Sequence, residues 1–221
     1  MGREAWHVVT SAADEIRDLL AGGSGRVVVG VTGPPGVGKS TFARQLVDEF
    51  NRDEAGFAAF LPMDGFHLST VQLVRLGRRE RKGAPDTFDV AGYVAILTRV
   101  AQDYGVEDVY VPDFDRAVEE PVAAALVIPR DVRLVVTEGN YLALADGGWA
   151  GVRSAIDRLY YLDFSAEVRR ARLIERHVVG GRTRAEAERW VDVVDEPNAA
   201  LVAATEALCD RTLRIDDQEL L

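Results

Sequence analysis

The sequence is expected to fold as an α/β protein, a parallel sheet sandwiched by helices, and three observations carry that expectation. Short apolar runs bounded by turn signals alternate with longer segments of helical period, the pattern of a sheet covered on both faces. The first run, Val27-Val28-Val29-Gly30-Val31, opens directly onto a glycine-rich loop followed by a helix. Polar residues of chemical interest then recur just after the ends of the apolar runs, where loops meet ligands in such sheets.

The elements follow in order. An amphipathic helix over residues 6–20 leads the chain, set off by the linker Gly22-Gly23-Ser24-Gly25. Strands are predicted at Arg26–Thr32, Ala58–Met63, Leu134–Thr137, Leu159–Asp163 and Thr212–Ile215, with Val109–Pro112 and Val122–Ile128 as a separate hairpin or edge pair. Helices are predicted at Thr41–Asn51, Val90–Gln102, Ala166–Val178, Arg184–Val193 and Pro197–Leu208. Asp89 suits the N-cap of the second of these helices, and Thr183 with Glu186 has capping-box spacing for the fourth. Gly180-Gly181 offers a hinge, so residues 165–183 are expected to form a small closing lid on a single domain spanning 1–221.

Bulk properties narrow the function. A formal charge of -10 and a pI near 4.9 argue against a broad basic surface for nucleic acid or an anionic membrane, so any anion site must be local. The single cysteine, Cys209, follows an apolar stretch, excludes an internal disulfide and fits a reducing compartment as a buried, unreactive thiol. No apolar run approaches the roughly 18 residues of a membrane span, and the first residues lack a signal pattern. A cytoplasmic protein is expected, with a small molecule as partner, and self-association into a homodimer is compatible with the sequence.

Gly33-Pro34-Pro35-Gly36-Val37-Gly38-Lys39-Ser40 fits the phosphate-binding pattern G-x-x-x-x-G-K-[ST] at every fixed position, with Thr41 next in line. Glycines let backbone N–H groups close around a polyphosphate, Lys39 reaches the β- and γ-phosphates, and Ser40 offers a hydroxyl to Mg²⁺. ATP with Mg²⁺ is therefore expected. Asp64 follows the second strand and is placed to accept a proton from an attacking hydroxyl, though it equally suits a turn cap. Glu138 ends the run Leu134-Val135-Val136-Thr137 and can hold Mg²⁺ or its waters. Arg172 and Arg176 share a helical face, with Arg169 one turn earlier, and are expected at phosphoryl oxygens; a salt-bridged surface is the alternative. Arg81-Lys82 and Phe114-Asp115-Arg116 lie in polar, aromatic loops that suit either an acceptor pocket or well-capped turns. His67 suits a substrate contact or a loop hydrogen bond equally.

Taken together, Gly33 to Ser40, Met63-Asp64-Gly65-Phe66-His67, Glu138-Gly139-Asn140-Tyr141 and Arg172-Leu173-Ile174-Glu175-Arg176-His177 resemble the P-loop kinases grouped with uridine kinase, phosphoribulokinase and bacterial pantothenate kinase. The small bacterial relatives linked to fructose transport are also similar at 81–89 and 112–116. The resemblance spans about residues 27–201. It implies Lys39 and Ser40 on phosphates and Mg²⁺, Asp64 as base, Glu138 near the metal and Arg172 as the lid arginine. From their places in the sequence, Arg176 is expected beside ATP, and His67, Arg81, Lys82, Phe114, Arg116 and Tyr141 around the acceptor. Uridine kinases carry an Asp-Ser-Phe-Tyr type sequence where this chain has Asp64-Gly65-Phe66-His67, so uridine does not follow from the resemblance. The long C-terminal portion of pantothenate kinase is not matched here.

A regulatory GTPase would need a guanine-reading Asn-Lys-x-Asp, and a transporter ATPase a Leu-Ser-Gly-Gly-Gln; neither occurs. A nucleotide-binding sensor without catalysis stays open. The reading is an ATP- and Mg²⁺-dependent kinase acting on a hydroxyl of a nucleoside, sugar or pantothenate-like alcohol.

Overall fold

The computed structural model describes residues 3–215; residues 1–2 and 216–221 of the expected single domain lie outside the described residues. In chain order the elements are α1 (Arg3–Ala21), β1 (Val27–Thr32), α2 (Lys39–Asp53), β2 (Ala58–Pro62), α3 (Thr70–Arg75), α4 (Val90–Gln102), β3 (Val109–Asp115), β4 (Glu120–Ile128), β5 (Leu134–Glu138), α5 (Ala150–Ser154), β6 (Arg158–Asp163), α6 (Ala166–Val179), α7 (Arg184–Trp190), α8 (Glu196–Ala203) and β7 (Arg211–Arg214).

Five strands form a sheet in the order β2-β5-β1-β6-β7, every neighbouring pair parallel. Side chains leave a strand on alternate faces, and that alternation fixes the layers. Val28, Leu61, Val135, Leu159 and Tyr161 point to one face, against Tyr93, Leu97 and Val100 of α4. Val29, Val31, Val136, Tyr160 and Leu162 point to the other, against α1 and against Phe42, Leu46 and Phe50 of α2. With both faces covered, the strands read as continuous apolar runs. Among the described residues, no helix is long and apolar enough to cross a membrane.

β3 and β4 stand apart as an antiparallel ribbon. Its strands run longer than the apolar pattern suggests, because Asp113–Asp115 pair with Glu120–Val122 in a polar stretch that the pattern cannot mark. The ribbon packs so closely on the turn Met63–Phe66 that a Cβ on Gly65 would stand 2.5 Å from the Pro112 carbonyl oxygen. Asp89 and Thr183 cap α4 and α7 as their spacing predicts, the latter as a full capping box with Glu186. The helix expected over Arg184–Val193 instead changes at Val191 into a π-helical turn, Val191–Asp195, that runs on into α8. Cys209 is half-buried with its thiol toward the Thr205 carbonyl, and burial pushes it up to about 12.

Gly65→Ala forces the ribbon off the turn that carries Asp64. It is expected to cost about 1–3 kcal/mol, as overpacking does, read as a lower urea midpoint at unchanged slope. An unchanged midpoint would mean that the ribbon is not held at this contact.

Candidate active site

The parallel sheet delivers four segments to one edge, the carboxyl ends of β1, β2, β5 and β6, and the strand order reverses direction at β1, where ligands bind in such sheets. The loop after β1 turns through Gly36 at φ +80, and a Cβ there would stand 2.8 Å from the Arg169 carbonyl oxygen, so the backbone tolerates only glycine. Gly38, also left-handed, precedes α2 and leaves the helix N-terminus open to the cavity. That cavity, of about 1240 Å³, is lined by Pro35, Gly36, Gly38, Lys39, Ser40 and Thr41 on the loop side. Gly33 and Pro34 contribute backbone carbonyls rather than cavity surface, and Val37 turns its side chain into the core.

Lys39 is buried, its ammonium donating to the carbonyls of Gly33 at 2.9 Å and Pro34 at 3.0 Å. Burial pushes it down to about 8, against the pull of Glu138 and Asp64. Ser40 Oγ donates to Glu138 Oε1 at 2.9 Å, joining the first turn of α2 to the end of β5. Burial and the nearby Asp64 push Glu138 up to about 7 although Lys39 and Ser40 oppose the shift. The two oxygen ligands sit side by side, and their carboxylate lacks a full counter-charge, so the pair fits Mg²⁺. Among the described residues no cluster of three or more His, Cys, Asp or Glu is placed to hold a metal ion.

Asp64 sits in the turn after β2, Oδ2 accepting from Arg116 Nη2 at 2.6 Å. Burial opposes its ionisation, but His67, Arg116 and Lys39 outweigh it and hold the carboxyl below the usual range. His67 Nδ1 lies 2.8 Å from the Asp64 carbonyl oxygen and must donate, since a carbonyl only accepts, which leaves Nε2 as an acceptor. Burial lowers the pKa of the ring, against the opposing pull of the Asp64 carboxylate and carbonyl. It packs between Phe88 and Phe114 at 4.0 and 5.0 Å while lining the cavity, so the loop bond and the cavity position coexist. Arg116 and Lys82 each lie 5.3 Å from the centre of the Phe114 ring.

Two expected acceptor residues do not reach the cavity. Tyr141 is buried in the core against Phe88 and Trp149, its hydroxyl donating to the Gly83 carbonyl. Arg81 turns outward to pair with Asp86, and Arg79 lines the cavity in its place. Of the six arginines from 169 to 184, Arg172, Arg176 and Arg182 line it. Arg169 is buried and donates to the Pro35 carbonyl at 3.2 Å, and Arg170 pairs with Asp192 outside. Sequence reasoning missed a wall from the π-helical turn and α8. There Asp195 accepts from His177 Nε2 at 2.7 Å, Arg182 donates to His177 Nδ1 at 3.0 Å while lying on the Trp190 ring, and Asn198 faces the cavity. The only signal for it was the polar cluster Asp195-Glu196-Pro197-Asn198 inside an apolar helix.

The fold and edge define a P-loop kinase. Residues 28–193 match the model of the phosphoribulokinase / uridine kinase family, and the chain belongs to that family. It is 38% identical over 178 residues to YggC of Escherichia coli (strain K12), covering 80% of this chain and 73% of that one. A Schizosaccharomyces pombe protein provisionally named uridine kinase is 34% identical over 168 residues, 74% of this chain and 71% of that one. A crystal structure of a protein from Silicibacter sp. TM1040, provisionally named a fructose transport system kinase, superimposes with a TM-score of 0.83 at 30% identity, covering 92% of this chain and 98% of that one.

Because the folded protein holds Glu138 above its ordinary value of 4.5, the stability this group contributes is full below that value and is lost as pH rises through about 7. Without nucleotide, wild type is expected to lose more Tm than Glu138→Gln between about pH 5 and pH 7, by a few degrees at ~2–4 °C per kcal/mol. Parallel profiles for the two proteins would mean that Glu138 is not the strained group.

Proposed function

We propose that the chain is an ATP- and Mg²⁺-dependent kinase that moves the γ-phosphoryl group to a hydroxyl of a small metabolite. The observation that carries this is the gathering of Lys39, Ser40, Glu138 and Asp64 on one sheet edge around one cavity. Lys39 gives up its loop carbonyls for the β- and γ-phosphate oxygens, and the loop N–H groups with the α2 N-terminus hold the rest of the polyphosphate. Ser40 and Glu138 hold Mg²⁺, which when bound neutralises charge on the phosphates. Asp64, ionised at neutral pH, orients the acceptor hydroxyl and takes its proton. As the new P–O bond forms, the bond from the γ-phosphorus to the β–γ bridging oxygen breaks, and ADP leaves with that electron pair. Arg172, over the Phe164 ring at 4.5 Å, meets the charge on the transferring group from α6. Its helix and the Gly180-Gly181 turn act as the lid that excludes water.

The acceptor is a nucleoside, a sugar or a pantothenate-like alcohol. Relatives support this range: the fission-yeast protein bears a uridine kinase name, and a pantothenate kinase of Leifsonia xyli is 32% identical over 142 residues, 64% of this chain and 42% of that one.

MgATP is expected to raise the wild-type Tm by mass action, and Lys39→Ala to remove most of that rise. No shift at millimolar MgATP would sink the reading. Asp64→Asn is expected to slow single-turnover transfer by roughly 10² to 10⁴-fold with ATP affinity within a few-fold. A wild-type rate for this variant would put the base elsewhere.

A further inference from the structure

We propose that the acceptor carries a negatively charged group of its own, a carboxylate or a phosphate monoester, held by Arg176 with Lys82 completing the charge. This rests on the kinase reading and narrows its substrate. On a chain with a formal charge of -10, cationic side chains outnumber carboxylates around the cavity. The nucleotide end accounts for some of them: Lys39 stands in the loop, and Arg172 comes within 3.9 Å of where a Cβ on Gly38 would be.

Arg176, one turn further along α6, has a different setting. The charges acting on it come from Arg116, Asp195, Asp64 and Glu119, and it acts in turn on Lys39, so it stands at the junction of loop and acceptor walls. Among the described residues no carboxylate lies within ion-pair distance of it, since Asp64 is taken by Arg116 and Asp195 by His177. Lys82 likewise has no carboxylate within ion-pair distance among the described residues, its ammonium donating to the Glu119 carbonyl and, at 3.4 Å, to Thr70 Oγ1, with the Glu120 carboxylate next along on the Thr70 N–H. A third group points the same way: Asn198 is nine-tenths buried, lines the cavity, and its amide makes no hydrogen bond among the described residues.

A ligand that enters here meets an Asn198 amide with no protein partner among the described residues and, at Arg176, a guanidinium that Asp195, Asp64 and Glu119 act on only from beyond ion-pair distance. A neutral alcohol would displace water from the guanidinium and give nothing comparable back, whereas a carboxylate or phosphate accepts two parallel N–H bonds from it. Charge-assisted bonds of this kind contribute enough to separate charged from neutral acceptors by about 10²-fold.

The test is phosphoryl transfer from MgATP to matched pairs: D-glycerate and glycerol, pantothenate and pantothenol, ribose 5-phosphate and ribose. In wild type the charged member of at least one pair is expected to show a kcat/KM about 10²-fold above its neutral partner, the first two pairs reporting a carboxylate and the third a phosphate. Arg176→Gln should collapse that ratio toward one by raising the acceptor KM while moving the ATP KM much less, and Arg176→Lys should restore part of it. Lys82→Met should narrow the ratio in the same direction. Equal turnover of charged and neutral members overturns the proposal, as does transfer to no charged member by an enzyme whose Tm still rises with MgATP. A rise in the ATP KM of Arg176→Gln at an unchanged ratio also overturns it and returns Arg176 to the nucleotide. Absence of any MgATP shift in wild type would overturn the kinase reading, and the proposal with it, and the melting measurement distinguishes that case.

Discussion

A buried ammonium at the end of the central strand constrains the rest of this structure. Lys39 is 8% exposed and Glu138 4%, and both sit beside Asp64 with little water to screen them. Burying such charges is costly unless each is paired and hydrogen-bonded. The loop solves part of this by folding its own carbonyls, from Gly33 and Pro34, onto the ammonium, and α2 solves another part by starting at Lys39 so that Ser40 meets Glu138. What is left over is a carboxylate held up and an ammonium held down, a local imbalance that the proposed metal-bound polyphosphate would relieve. The parallel sheet makes this possible because it fixes the ends of β1 and β5 side by side, with Val31 in register with Glu138.

The opposite side of the cavity is assembled from pieces that the sheet does not dictate. The β3–β4 ribbon supplies Phe114 and Arg116, pinned against the Asp64 turn by the close approach at Gly65. The π-helical turn supplies the other wall, since the extra residue in that turn sets Asp195 against His177 and continues into the helix that carries Asn198. Local irregularities of this sort gather at functional sites because they aim side chains that a regular helix would not. On the proposed function, acceptor recognition falls to the parts of the chain least constrained by the fold, and nucleotide recognition to the most constrained.

This division explains what the sequence made legible. The phosphate loop, the four strand ends and the family were readable because each rests on local pattern: fixed glycine spacing, apolar runs, a carboxylate after a strand. The start of α2 was read two residues late because Lys39 and Ser40 serve the loop motif and the helix at once. Arg81 and Arg79 are two positions apart in a polar loop, and only the turn in which they sit decides that Asp86 draws Arg81 outward. Tyr141 adjoins motif residues, yet its ring completes the cluster with Phe88 and Trp149, a long-range packing choice with no local signature. Asn198 sits within an apolar helix, and nothing in one sequence reports that its amide lacks a partner.

The account turns on where the γ-phosphoryl group goes. ATP labelled with ¹⁸O at the γ-phosphoryl oxygens, incubated with wild type, Mg²⁺ and a mixture of small alcohols, is followed by mass spectrometry of the products. The account predicts label in a phosphate ester of one alcohol, with ADP formed in equal amount. Label found only in inorganic phosphate, or left in ATP that the protein demonstrably binds, would contradict it.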